Sequence, residues 1–287
     1  MVDAVPGRIA GIGFALCGIL IFTVVFAAGK LTGGEVPLPQ LVTLRLLGAL
    51  PVLLVWRLLV RGRVPLLTRA PGWSIARVVC GYGGLMCALE AGVRLPLAQA
   101  STLGLLEGVL AVLLAGLFLH ERIGRRHALA AVIGLGGAIV AAQPWRIDWQ
   151  VSLGVPIALL SALMFALEAV VIKKLVEVDE AWTVIFTVHV LGLLVLAVPA
   201  LMVWQPLESG TALFILALGP LGIVGQFVNV RAWRALPVSV IGPLTYSWVL
   251  FASLLGFVAF GELPGIWTIV GAAFILLGGV LLARDER

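Results

Sequence analysis

RLPLAQASTLGLLEGVLAVLLAGLFLHERIGRRHALAAVIGLGGAIVAA, residues 94–142, is written a second time as ALPVSVIGPLTYSWVLFASLLGFVAFGELPGIWTIVGAAFILLGGVLLA, residues 235–283. A shift of 141 positions, without a gap, pairs Leu95 with Leu236, Pro96 with Pro237, Leu103 with Leu244 and Ala111 with Ala252. Further along it pairs Leu113 with Leu254, Glu121 with Glu262, Gly124 with Gly265 and Gly137 with Gly278. Two apolar helices match easily, because Leu, Ala and Gly fill both. A proline and a glutamate 25 residues apart in each copy are far harder to match by accident. In both copies the proline opens a long apolar helix, the glutamate closes it, and a Gly-containing turn leads into a glycine-rich helix. The chain reads as a duplicated unit.

Composition places that unit in a bilayer. Of 287 residues, 62% are hydrophobic and 11% charged, and the mean hydropathy is +1.17; a soluble domain carries roughly a quarter charged residues. The apolar runs reach about 20 residues, which at about 1.5 Å per residue cross a hydrocarbon core of about 30 Å. Ten spans follow: 8–29, 38–60, 73–93, 97–119, 127–143, 153–173, 182–203, 211–232, 237–259 and 265–283. The first resembles a signal peptide at its Ala27-Ala28-Gly29 end, but its apolar run is too long and it has a counterpart in the second half. Cys17, Cys80 and Cys87 all fall inside spans, where cysteine is a small apolar side chain. The expected fold is an all-α polytopic membrane protein with short loops and no room for a soluble domain.

Charge sets the orientation. With a cytoplasmic amino terminus, that side receives Arg8, Arg57, Arg61, Arg63, Arg69, Arg77, Arg122, Arg125, Arg126, Lys173, Lys174, Arg231, Arg234, Arg284 and Arg287. The other side receives Lys30, Arg94 and Arg146, so both termini are expected in the cytoplasm. The net charge of +5 is thus a topology signal and not a nucleic-acid surface. Residues 1–143 form the first repeat, 144–152 a link, and 153–287 the second repeat. Five spans per half turn the second copy upside down, the 5+5 inverted repeat of secondary transporters, with a substrate site near the midplane. The first helices support this at a shift of 143, where Gly11, Ala15, Leu16, Leu20, Phe22 and Lys30 meet Gly154, Ala158, Leu159, Leu163, Phe165 and Lys173.

Arg45 early in span two, Lys30 and Lys173 ending spans one and six, and the repeated Pro-to-Glu unit resemble the drug/metabolite transporter superfamily, in its EamA branch. Gly242-Pro243-Leu244-Thr245-Tyr246 with Phe260-Gly261-Glu262-Leu263-Pro264 is similar to the group that contains S-adenosylmethionine uptake carriers and some riboflavin importers. The resemblance covers nearly the whole chain. It implies a ten-helix carrier with a central cavity and alternating access, and it says little about substrate. Where that pattern leads one to expect a proline in span four, this chain has Leu106-Glu107-Gly108.

Ionisable groups deep in a span cost about 2.5–3.5 kcal/mol on insertion scales, so each needs a role. Glu107, near the middle of span four, reads as a proton site, a counter-ion for a cationic substrate, or a structural carboxyl. Glu168 in span six and His189 in span seven are candidates for proton coupling or structural pairing. Arg45 occupies the place of His189 at a shift of 144 and reads as a substrate-anion site or a paired structural cation. Gln226 and Asn229 lie three apart on one face of span eight. Tyr82, Tyr246 and Trp248 are candidate aromatic walls for a planar or cationic ligand. Pro243 offers a break in span nine. Glu121 and Glu262 read as turn-forming or gate-side structural residues, and Glu90 with Arg94 as an interface pair.

The function expected is secondary transport of a small polar or zwitterionic metabolite across the cytoplasmic membrane, by proton coupling or by exchange. No cofactor, metal or ATP use is expected, since no phosphate loop or ligand cluster exists in the sequence. The partners are a small-molecule substrate, the bilayer and protons, and the chain works as a monomer or a homodimer. Two rivals stay open: a flippase for a lipid-linked substrate, and a membrane-embedded enzyme, against which His120, His127 and His189 lie at different depths.

Overall fold

Long runs of Leu, Ala, Val and Gly without charge leave the backbone no partner but itself, so the chain forms helices. The computed structural model describes residues 7–31, 36–60, 65, 67–95, 103–121, 123–142, 145, 153–260 and 265–283. Its helices are α1 (Arg8–Leu31), α2 (Leu38–Val60), α3 (Pro71–Arg94), α4 (Leu106–Phe118), α5 (Arg125–Ala142) and α6 (Gly154–Val178). They continue as α7 (Ala181–Met202), α8 (Ser209–Ala235), α9 (Val238–Leu244), α10 (Ser247–Phe260) and α11 (Ile266–Ala283). There is no strand among the described residues. Six stretches are long and apolar enough to cross a membrane: Arg8–Val25, Leu38–Leu59, Gly154–Val178, Ala181–Met202, Ser209–Ala235 and Val238–Val258. Leu106–Phe118 and Ile266–Gly278 are shorter apolar helices. The protein is a multi-pass membrane protein. Glu262, Pro96, most of the 144–152 link and the side chain of Lys30 lie outside the described residues.

The expected ninth span is two helices. Pro243 has no N–H to give and α9 ends at Leu244, where Thr245 Oγ1 donates to Gly242 O at 2.6 Å. The chain turns through Thr245 and Tyr246 before α10 begins. Span four is interrupted too: Leu103 and Gly104 are helical, Leu105 is a turn, and α4 starts at Leu106.

Helix pairing is specific. The axis of α1 runs along α8, α3 along α6, α5 along α11, and α2 against both α7 and α8. The α2–α8 crossing is close. A Cβ on Gly48 would stand 2.0 Å from Leu216 O, and one on Gly219 would stand 2.4 Å from Ala49 N. Only a pair of glycines allows these backbones to touch.

Both ends of the bundle are tied by polar contacts. At one, Asp179 accepts from the Thr68 hydroxyl and, at 3.0 Å, from the Arg69 N–H, while Thr183 Oγ1 donates to Pro65 O at 2.6 Å. At the other, Gln40 and Gln205 exchange two bonds, Gln40 Nε2 to Gln205 O at 2.7 Å and Gln205 N to Gln40 Oε1 at 3.0 Å.

One placement corrects the charge count. Arg77, expected at the cytoplasmic interface, sits six residues into α3 and is 2% exposed. Its side chain turns inward to polar partners on α6 and α8, which removes it from the orientation signal.

Candidate functional site

Four helices bring polar side chains to one place in the bundle, and a fifth closes it with an aromatic ring. A small cavity is lined by Phe22 of α1, Arg45 and Leu46 of α2, Tyr82 of α3, His189 of α7, and Gly219, Gly222 and Gln226 of α8. Its free space is about 10 Å³, room for about one water. In this conformation it holds a functional group and not a whole metabolite.

Each wall has a local cause. The α2–α8 glycine contact brings Arg45 opposite Gln226. Gly192 on α7 lets the Tyr82 ring in, since a Cβ there would meet Tyr82 Cε2 and Oη at 2.6 Å. His189 is 5% exposed, and its Nδ1 lies 2.8 Å from Ile185 O. A carbonyl only accepts, so Nδ1 carries the proton and Nε2 is the acceptor of the neutral ring. Arg77 stands behind the wall, donating from Nη2 to Gln226 Oε1 at 2.9 Å, with Nε 3.8 Å from Glu168 Oε1. Gly81 admits Glu168 to α3, where a Cβ would meet its Oε1 at 2.8 Å.

The sequence-derived candidates divide into groups. Arg45, Tyr82, His189 and Gln226 share the cavity, with Glu168 one residue further through Arg77. Glu107, in the first turn of α4, interacts electrostatically with Glu168 but does not line the cavity. Tyr246 lies at the α9–α10 break with Ala138 and Ile275, wedged where Cβ atoms on Gly108 or Gly134 would come within 2.8 Å of its ring. Its hydroxyl is buried with no hydrogen-bond partner among the described residues. Trp248 is the second residue of α10, and its backbone N–H donates to Thr245 O at 2.9 Å. Asn229 faces α1, with its Cα 3.6 Å from a Cβ built on Gly18.

Two further polar devices flank the site. His120 adopts a positive φ of 54° at the end of α4 and turns the chain so that Glu121 points at α9. There Glu121 accepts from the N–H groups of Val238 at 2.8 Å and Ser239 at 2.9 Å, which caps the short helix. Lys173 Nζ donates to Trp233 O and Leu236 O, both at 2.8 Å, and so closes the end of α8. On the outer side of α2 and α7, an apolar groove of about 550 Å³ runs past Leu47, Leu50, Leu193, Leu194 and Trp204.

Comparison with known proteins defines the class. The chain matches the EamA-like transporter family over residues 9–143 and again over 152–284. It belongs to that family, and it is a membrane transporter. It is 26% identical over 282 residues to the pseudopaline exporter of Pseudomonas aeruginosa, covering 97% of each chain. It is 28% identical over 232 residues to a riboflavin transporter of Rhizobium johnstonii, covering 78% of this chain and 74% of that one. An S-adenosylmethionine uptake transporter of Rickettsia felis is 21% identical over 287 residues, covering 100% and 97%. A protein crystal structure superimposes on 97% of this chain and 100% of its own at TM-score 0.80 with 22% identity, a likeness of fold.

Proposed function

We propose that the protein is a ten-helix secondary transporter of the cytoplasmic membrane that moves a small polar or zwitterionic metabolite by alternating access. The observation that carries this reading is the convergence of Arg45, Tyr82, His189 and Gln226 from four helices on one cavity inside an otherwise apolar bundle. Polar groups at that depth are costly and need an occupant. The substrate sits among them, with Glu168 and Glu107 on the α6 and α4 side serving as a charge partner or proton site. Tyr246, Trp248 and Asn229 line the path to either side.

Two five-span repeats, 1–143 and 153–287 joined by 144–152, explain the helix pairing. An inverted relation exchanges spans one to five with six to ten. It maps the α1–α8 pair onto α6–α3, and the α4–α6 pair onto the contact of α10 with α1, and it leaves α5–α11 paired with itself. The turn at Leu105 also falls on the break at Tyr246 at the repeat shift of 141. The termini are cytoplasmic by the distribution of Lys and Arg, and no chemistry other than transport is assigned.

Reconstitution tests this reading. Proteoliposomes should accumulate a radiolabelled substrate against unlabelled internal substrate without nucleotide, and Gln226→Ala and Tyr82→Ala should lose that uptake while still folding. Uptake that requires ATP would refute it. The apolar groove beside α2 and α7 favours one second reading, a flippase for a lipid-linked substrate. Flux of a fluorescent lipid-linked probe that survives both substitutions would select it.

A further inference from the structure

We propose that the cavity receives its substrate by a carboxylate, held by Arg45 with Arg77 as a second cation that the sequence alone conceals. This deepens the transporter reading above and rests on it. The first argument is the chemistry of the wall. None of the residues lining the cavity is an acid. Gln226 has its Oε1 engaged by Arg77, which leaves the amide NH2, a donor, as its remaining polar group. The Arg45 guanidinium and the Tyr82 hydroxyl add further donors. Beside the single His189 Nε2 acceptor, these donors dominate the wall and call for an acceptor.

The second argument is unused capacity. Arg77 is 2% exposed, yet its Nε and Nη1 have no hydrogen-bond partner among the described residues. The Glu168 oxygen at 3.8 Å is beyond hydrogen-bond reach of Nε. A guanidinium presents five donors in a fixed fork suited to carboxylates. Arg45 makes no ion pair or hydrogen bond among the described residues.

Charge balance selects the occupant. Of the two guanidinium groups here, Arg77 has Glu168 at 3.8 Å, whereas Arg45 has no carboxylate partner among the described residues, and Glu107 interacts with Glu168 without lining the cavity. An unpaired charge at this depth is destabilising, and one carboxylate from the substrate compensates Arg45. A phosphate dianion would overcompensate it. Arg77 is then a specificity residue, which sets Gln226 as a donor and supplies the positive field behind it.

The test uses full-length protein in detergent and in proteoliposomes with matched probes. These are histidine with histidinamide, methionine with methioninamide, S-adenosylmethionine, and three probes without a carboxylate: riboflavin, choline and inorganic phosphate. At least one carboxylate is expected to raise Tm at millimolar concentration where its amide does not. Arg45→Gln should weaken that binding by about tenfold to a hundredfold, as for loss of a charge-assisted contact. Arg77→Lys, which keeps the charge and much of the packing, should bind more weakly with an unchanged Tm in the absence of ligand. Equal binding of acid and amide, no response to any carboxylate, binding of only the carboxylate-free probes, or full affinity in Arg45→Gln would each overturn the proposal. Uptake of a carboxylate-free probe would leave transport standing while this inference falls. Carboxylate binding without uptake would do the reverse.

Discussion

Replacing Gly48 by alanine strikes the contact on which the site is built. The added Cβ would lie 2.0 Å from Leu216 O, 2.7 Å from Leu216 C and 2.8 Å from Leu216 Cα. Ordinary contact begins at 3.4 Å, so the carbonyl oxygen is 1.4 Å too close (3.4 − 2.0). All three atoms are backbone, and no rotamer change relieves them. Overpacking costs about 1–3 kcal/mol, and a rigid obstacle puts this case near the upper end. Alanine returns about 1 kcal/mol of helix propensity, leaving a net loss of about 2 kcal/mol. For a chain of this size that is a Tm lower by roughly 4–8 °C. Gly13→Ala is the control, because nothing lies within 4 Å of its Cβ position, and it should hold or raise Tm. Unfolding followed by tryptophan fluorescence in detergent reads both variants. Separating α2 from α8 also moves Arg45 away from Gln226, so Gly48→Ala should bind substrate more weakly than its stability loss explains. A Gly48→Ala protein as stable as Gly13→Ala would refute the packing argument.

Other perturbations probe the flanking devices. Glu121→Ala removes the acceptor for two N–H groups of α9 and should cost about 2–4 kcal/mol, while Glu121→Gln, which keeps one carbonyl acceptor, should fall between it and wild type in a thermal melt. Gly192→Ala pushes on the Tyr82 ring and its hydroxyl, each 2.6 Å from the added Cβ, so uptake assays should show a raised KM at nearly constant expression. If Glu107 is the coupling site, Glu107→Gln should flatten the pH dependence of uptake, and a pH profile superimposable on wild type would remove it from coupling.

The helices were legible because a bilayer leaves a spanning chain few alternatives, and most observed ends fall within a few residues of the expected ones. Pro243 foretold the broken ninth span, since its missing N–H acts locally. The role of Glu121 was legible only as structural: nothing in its neighbours says that it caps residues 238 and 239, because that contact joins the two halves of the chain. Arg77 was misread for a related reason. A cation near the start of a span normally belongs to the interface, and sequence position alone hides a side chain that turns inward. A signal existed: Ser74, Arg77, Gly81 and Gly84 fall at spacings of three and four on one face of α3, a stripe too small and polar for lipid. The site was legible as a set of residue types but not as a grouping, since burial of Tyr246 away from Tyr82 depends on how α4, α5 and α9 pack.

The most direct measurement is counterflow into proteoliposomes holding the purified protein, without nucleotide, comparing wild type with Gln226→Ala of equal Tm. The account predicts uptake stimulated by internal substrate in the wild type and background uptake in Gln226→Ala. Unstimulated wild-type vesicles, or a variant that transports as well as wild type, would contradict it.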